Sequence, residues 1–247
     1  MDFQQRTYAL ELLDQPDIPF PDIQRNMYEL DVINTLLGGH QITVSGIRKM
    51  ARGRESLHIC EIGCGGGDNL RAIAQYLYPA MQRDTPGTKP RLQLTGIDLK
   101  PTCIQYARER WTLPVDVNWI CSDYRDHRFT EKPDIIFSSL FCHHFTDEGV
   151  REIFSWCATN SRLGFFLNDL HRHPLAYHSI RLLTRLFSRS YLVKHDAPLS
   201  VARGFSRDEL QGFVSHVKGM NIDLRWKWAF RWLLIAQHRQ IQAAETP

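Results

Sequence analysis

The segment His58–Leu70, HICEIGCGGGDNL, constrains the fold more than any other part of the chain. It places Gly63, Gly65, Gly66 and Gly67 within five positions, after an apolar run and before a helical one. Glycine is costly to order, so such a cluster marks a backbone that something must approach closely. A strand-to-helix turn is where backbone N–H groups meet an anion or a nucleotide-like ligand. Two ligand classes fail on spacing. A phosphate loop needs GxxxxGK[ST], and no lysine follows Gly67. A dinucleotide fingerprint needs GxGxxG, and its third glycine falls on Asp68 counted from Gly63, or on Leu70 counted from Gly65.

The rest of the chain supplies an alternating rhythm. Strands are expected at Leu57–Ile62, Arg91–Ile97, Val115–Cys121, Asp134–Leu140 and Leu163–Asp169. Helices are expected at Asn69–Tyr78, Pro101–Arg110 and Asp147–Thr159, and Pro79–Pro90 reads as a loop. Such alternation implies right-handed crossovers and a mostly parallel sheet covered on both faces. Ahead of it, a proline-bearing arm precedes helices at Ile23–Leu37 and Thr43–Ala51. After Asp169 the rhythm breaks. Pro174–Tyr191 has one long helical pattern, Phe205–Val217 another, and Ile222–Ala236 is long enough for a strand pair.

The glycine pattern that remains is E-x-G-x-G-x-G, from Glu61 through Gly63, Gly65 and Gly67. It resembles the first motif of class I S-adenosylmethionine-dependent methyltransferases, in their small-molecule branch. That cofactor carries no phosphate and needs only close backbone approach at its amino-acid end. The downstream acids agree in order and placement. LTGIDL puts Asp98 at the end of the second strand, where a carboxylate can accept from two ribose hydroxyls. Asp98 also suits a helix cap ahead of Pro101. WICSDYRD puts Asp123 after the third strand, where the resemblance implies a contact with the adenine amino group and the plain alternative is a surface turn. The resemblance implies a doubly wound, mostly parallel seven-stranded α/β sheet of the Rossmann-like methyltransferase type, with a helical lid. It implies S-adenosyl-L-methionine as cofactor, held by Glu61, Gly63, Cys64, Gly65, Asp98, Leu99, Asp123, Tyr124 and Leu140. The expected organisation is one domain over residues 1–247, with a helical cover at 1–52 and a lid insertion at 172–204.

The acceptor is a separate question. Methyl transfer from a sulfonium is an in-line displacement that needs alignment and, for a hydroxyl, loss of a proton. An imidazole suits the deprotonation of a phenol near neutrality. FCHHF places His143 and His144 after the fourth strand, beside the expected methyl position. His144 is the stronger candidate base, because His143 continues the strand end; packing is the alternative for either. NDLHRHP adds Asn168, Asp169, His171, Arg172 and His173 at the end of the fifth strand, and Tyr177 follows. His171, Arg172 and Tyr177 are expected to line a substrate pocket. No histidine or cysteine spacing there supports a metal. The expected reaction is therefore methylation of a small aromatic or lipophilic metabolite of secondary metabolism, on oxygen or next on carbon.

Composition narrows the alternatives. The net charge of +3 is too small to argue for nucleic acid or membrane by itself. No apolar run approaches the roughly 18 residues that span a bilayer, and the acidic, proline-bearing start does not read as a signal peptide. The six cysteines form no CxxC pair and mostly sit in apolar runs, as expected of buried thiols in a reducing cytoplasm. Between Arg172 and Arg231, eleven basic residues face four acidic ones. That excess is the support for an RNA or protein methyltransferase. RLLTRLFSRSYL reads first as an amphipathic lid, and its pattern also suits an anionic substrate, an acyl carrier or a membrane surface. The N/D-P-P-Y/F motif of amino-methylating enzymes is absent. The oligomeric state is not legible.

Overall fold

The computed structural model describes residues 2–84 and 91–239. An irregular arm passes through a 3₁₀ turn, Leu12–Asp14, into α1 (Phe20–Leu36) and α2 (Gly39–Met50). The alternating unit follows: β1 (Ser56–Ile62), α3 (Asp68–Asp84), β2 (Arg91–Asp98), α4 (Pro101–Arg110), β3 (Val117–Cys121), β4 (Ile135–Ser139), α5 (Asp147–Asn160) and β5 (Gly164–Leu170). The chain then forms α6 (Pro174–Phe187), α7 (Tyr191–Arg203) and α8 (Arg207–Val214), and ends in the hairpin β6 (Met220–Lys227) and β7 (Arg231–His238).

The seven strands form one sheet in the order β3-β2-β1-β4-β5-β7-β6, in which only β7 runs against the rest. The chain winds outward from β1 to β3, then returns to β4 on the other side of β1. This reversal leaves a crevice at the carboxyl ends of β1 and β4, the place where open α/β sheets bind ligands. It is the Rossmann-like methyltransferase fold that the sequence implies. Two apolar layers hold it. On one face Ile59, Leu94, Phe137 and Phe166 pack with Ile47 and Leu70 of the flanking helices; on the other Ile62, Ile136 and Phe165 pack with Phe154 and Phe213. Phe137 and Phe166 stack with ring centroids 4.8 Å apart. Each such fully buried side chain contributes about 1.5–3 kcal/mol. No helix among the described residues is long and apolar enough to cross a membrane.

Several boundaries differ from expectation, each for a local reason. Gly38 adopts φ +75°, a left-handed turn that lets α2 start at Gly39, four residues before the expected Thr43. The expected loop Pro79–Pro90 is helical as far as Asp84, and residues 85–90 lie outside the described ones. Val115 is buried outside β3, and its carbonyl accepts from Trp111 Nε1 at 2.8 Å. The helix expected over Pro174–Tyr191 ends at Phe187, and a further helix not expected from the sequence, α7, starts at Tyr191. Glu29 of α1 accepts from Ser188 Oγ and from the backbone N–H of Arg189 and Ser190 at 3.0 and 3.1 Å. Ser190 then caps α7 through Val193 N. Phe205 lies outside its expected helix: its N–H donates to Leu170 and its carbonyl accepts from Trp232 Nε1, while Ser206 and Glu209 form the capping box of α8.

Candidate active site

The glycine loop closes on the end of β2. Gly63 N and Cys64 N donate to the Ile97 carbonyl at 2.8 and 3.1 Å. Gly63 and Gly65 need their positive φ for different reasons. A Cβ on Gly63, at φ +66°, would lie 2.1 Å from the Phe141 ring. A Cβ on Gly65, at φ +49°, would meet only Met27 Sδ, at 3.5 Å. Packing therefore demands glycine at 63, whereas at position 65 a Cβ would make only an ordinary contact with Met27.

The acids expected at the cofactor sit around this loop. Asp98 accepts from Gly65 N at 2.8 Å and from Lys100 N at 2.9 Å. A carboxylate has about four acceptor sites, so a ligand can still be bound. Burial pushes the Asp98 carboxyl up, against the pull of those two backbone N–H groups. Glu61 is buried. Its Oε1 accepts from Asn69 Nδ2 at 3.2 Å, and its Oε2 has no hydrogen-bond partner. Burial, with Asp68 and Asp98 nearby, holds its carboxyl well above the usual range. A buried acid with a free oxygen suits a cationic ligand group such as the ammonium of S-adenosylmethionine, and the open side of Gly65 suits close approach of a chain. Asp123 is forked to the exposed guanidinium of Arg125, with Oδ2 2.6 Å from Nη2, which holds its carboxyl low. Cys64 and Tyr124 are buried, and Leu99 is exposed. Leu140 adopts φ +53° as the chain leaves β4. Tyr124 sits edge-on to Phe141, Phe145 and Trp156.

The two histidines of the post-β4 loop are treated very differently. His143 is buried, with Nδ1 2.8 Å from Asp169 Oδ1 and Nε2 3.6 Å from Glu11 Oε1. Burial alone would push its imidazolium pKa down. Asp169 and then Glu11 outweigh that and raise it to about 9. The His144 side chain is 23% exposed and lies between Glu11 Oε2, 3.8 Å from Nε2, and Asp14 Oδ1, 3.5 Å from Nδ1. The N-terminal arm thus packs directly over this loop. Arg6 fastens it, donating to the carbonyls of His143, Phe145 and Arg203 and pairing with Asp147 at 2.7 Å. Arg203 donates to the carbonyls of Ala9, His143 and His144.

The residues expected in the substrate pocket divide. Arg172 has all its guanidinium donors engaged, by the Phe3, Gln4 and Gly204 carbonyls and by both oxygens of Glu209, and it clamps the arm to α8. His171 Nδ1 accepts from Trp226 Nε1, and burial, with His173 and Arg172 nearby, pushes its imidazolium pKa down. Tyr177 packs edge-on against Phe3 of the arm, centroids 5.4 Å apart. His173 caps α6. Of the eleven basic residues counted above, Arg172, Arg203 and Arg231 are buried.

Residues 59–164 match the family model described as a methyltransferase domain. Over those residues the chain is similar to a methyltransferase domain.

Solved structures share this fold at low identity. The plantazolicin methyltransferase BpumL, solved with a triazolic desmethyl analogue and SAH, is 15% identical, with a TM-score of 0.63 over 87% of this chain and 91% of that one. Magnesium protoporphyrin IX methyltransferase from Synechocystis PCC 6803, with bound SAM, is 14% identical, with a TM-score of 0.56 over 88% and 90%. Human N-acetylserotonin methyltransferase, in complex with SAM, is 16% identical, with a TM-score of 0.59 over 89% of this chain and 56% of that one. Comparison with curated protein sequences gives no match. The sequence carries no local sign that Arg6, Glu11 and Asp14 belong to the site. They lie in an arm without periodicity, and only the folded chain brings them to the histidine loop.

Proposed function

We propose that this methyltransferase carries the methyl group of S-adenosylmethionine to a small aromatic or lipophilic acceptor of secondary metabolism, on oxygen. One observation carries the small acceptor: the arm lies across the reacting edge, with Glu11 and Asp14 beside His143 and His144 and Met27 over Gly65. An acceptor must fit beneath that cover, which the segments 1–52 and 172–204 form in a single domain over 1–247.

Glu61, Gly63, Cys64, Gly65, Asp98, Leu99, Asp123, Tyr124 and Leu140 would hold the cofactor, which supplies an electrophilic methyl group when bound. Asp98 holds the loop closed through Gly65 N. Asp123 becomes available when the exposed Arg125 swings out. His143 is already protonated near neutrality, so it positions rather than accepts. His144, beside it with ring centroids 4.4 Å apart, is the general base for a hydroxyl. His171 and Tyr177 shape the acceptor's side of the site. The cytoplasm suits the protein, since all six cysteines are free and five are buried. The test is turnover of a phenol panel with S-adenosylmethionine, alongside calorimetry with the demethylated product. Calorimetric binding without methylation of any phenol would redirect the acceptor. Absence of calorimetric binding would remove the reading altogether.

A further inference from the structure

We propose that the face formed by α1, α6 and the β6–β7 turn docks on the surface of an anionic lipid bilayer. The three elements meet pairwise. The α6–α7 turn is fixed to α1 through Glu29, which binds Ser188, Arg189 and Ser190. The start of α6 meets the hairpin where His173 stacks on Phe230, centroids 5.1 Å apart. The end of α1 meets it at a depression of about 340 Å³ lined by Leu36, Gly38, Lys227 and Trp228 among others.

Each element presents apolar side chains to solvent. On α1 these are Tyr28, Val32 and Leu36, spaced four apart along one side. On α6 they are Leu175, Leu182, Leu183, Leu186 and Phe187, and only Ala176 and Thr184 of this helix are buried. At the hairpin they are Trp226 and Trp228. Leu36 and Phe187 are each 77% exposed and Trp228 is 70% exposed. A cluster of this size on joined elements exceeds the scattered apolar residues of an ordinary surface.

Charge complementarity chooses the occupant. Arg181 and Arg185 stand one turn apart on α6 beside the leucines, Arg189 follows in the α6–α7 turn, and all three are exposed. Among the described residues none of them forms an ion pair. A helix with leucines on one side and arginines next to them lies in the plane of a membrane interface, and indole rings favour the same depth. An anionic headgroup layer satisfies the arginines and the acyl boundary satisfies the leucines, phenylalanine and tryptophans. Since no described helix is long and apolar enough to cross a bilayer, the contact is with its surface.

The test is co-sedimentation of the full chain with phosphatidylcholine vesicles, with and without phosphatidylglycerol. Wild type should sediment with the anionic vesicles and stay behind with the neutral ones. Each neutralised arginine should weaken partitioning by about fivefold, so Arg181→Gln/Arg185→Gln/Arg189→Gln should lose on the order of a hundredfold. Leu186→Asp/Phe187→Asp should abolish sedimentation. Thermal melts and calorimetry with the demethylated cofactor check that both variants remain folded. Brominated lipid gives an independent readout: it should quench the wild-type indole fluorescence, and Trp228→Phe should reduce that quenching. No sedimentation with anionic vesicles, equal sedimentation with neutral ones, or wild-type sedimentation by the folded variants would each overturn the proposal. So would a concentration-dependent dimer that Leu186→Asp/Phe187→Asp dissolves while vesicles go unbound, since the occupant would then be a second copy.

Discussion

Asp169 Oδ1 lies 2.8 Å from His143 Nδ1, with both side chains buried. The contact joins the end of β5 to the loop after β4, across the crevice edge. It makes Nδ1 the donor and turns Nε2 toward Glu11 of the arm. An uncompensated buried charge is costly, so breaking such a pair from one side costs roughly 3–5 kcal/mol. Asp169→Asn should lose about that much.

The same pair predicts a pH window. The His143 pKa is raised to about 9, so its stabilisation is complete below its unfolded value of about 6.5 and is lost as pH rises through about 9. The Asp169 carboxyl is held low: burial opposes this, but the neighbouring imidazolium prevails. Its share is present above the ordinary carboxylate range, about 4, and is lost as pH falls through the lowered value. Melting curves of wild type and Asp169→Asn should therefore lie furthest apart between about pH 4 and 6.5 and converge toward pH 9. A constant offset up to that pH would mean that His143 is neutral in the folded protein.

Gly63 and Gly65 should separate in their effects. Gly63→Ala drives a methyl into the Phe141 ring at a positive φ and should destabilise the fold strongly. Gly65→Ala has room beside Met27 and should cost only the left-handed strain, about 1–2 kcal/mol. Its larger effect should be on cofactor affinity. Thermal melts paired with calorimetry check both. Equal affinity for wild type and Gly65→Ala would deny position 65 a ligand.

Asp98→Ala should weaken cofactor binding by at least about tenfold, from the loss of charge-assisted hydrogen bonds worth roughly 1.5–3 kcal/mol each. The structure adds a stability term, because Asp98 also caps Gly65 N and Lys100 N. Asp98→Asn keeps an acceptor for one of these and should recover part of the stability without restoring full affinity. If affinity returned completely with Asn, the carboxylate charge would be irrelevant to the ligand.

How much of this was legible in the sequence follows from the range of the interactions. Apolar residues alternate with polar ones in β1 and β2 and run together at the starts of β4 and β5, so these strands, with Asp98 and Asp169 near the ends of β2 and β5, could be placed without a structure. Ser188–Ser190 could not be recognised as a break, because the group that draws it out of the helix is Glu29 of α1. Arg172 reads as a pocket residue for the same reason: its partners Phe3, Gln4 and Glu209 are remote in sequence. Local pattern reports periodicity and turn chemistry, while the arm over the histidine loop is built from side chain–backbone bonds that leave no periodic trace.

His144→Ala tests the chemistry most directly. His143 is committed to Asp169 and carries its proton near neutrality, so it cannot take one from an acceptor. His144 has the partly exposed side chain of the two, and its ring nitrogens lie 3.8 Å from Glu11 Oε2 and 3.5 Å from Asp14 Oδ1 of the arm. General-base assistance is typically worth about 10²–10⁴-fold, so His144→Ala should lower kcat by that factor with cofactor affinity nearly unchanged. Glu11→Gln removes a charge from both histidines and should lower stability as well as kcat, which separates a positioning role from the base itself. His143→Ala should act mainly on stability. Single-turnover rates with a phenol acceptor, measured on variants whose melts and cofactor binding are known, distinguish these cases. Should His144→Ala retain wild-type turnover, the acceptor must be an oxygen already ionised or a nucleophilic carbon, for which alignment beneath the arm is sufficient.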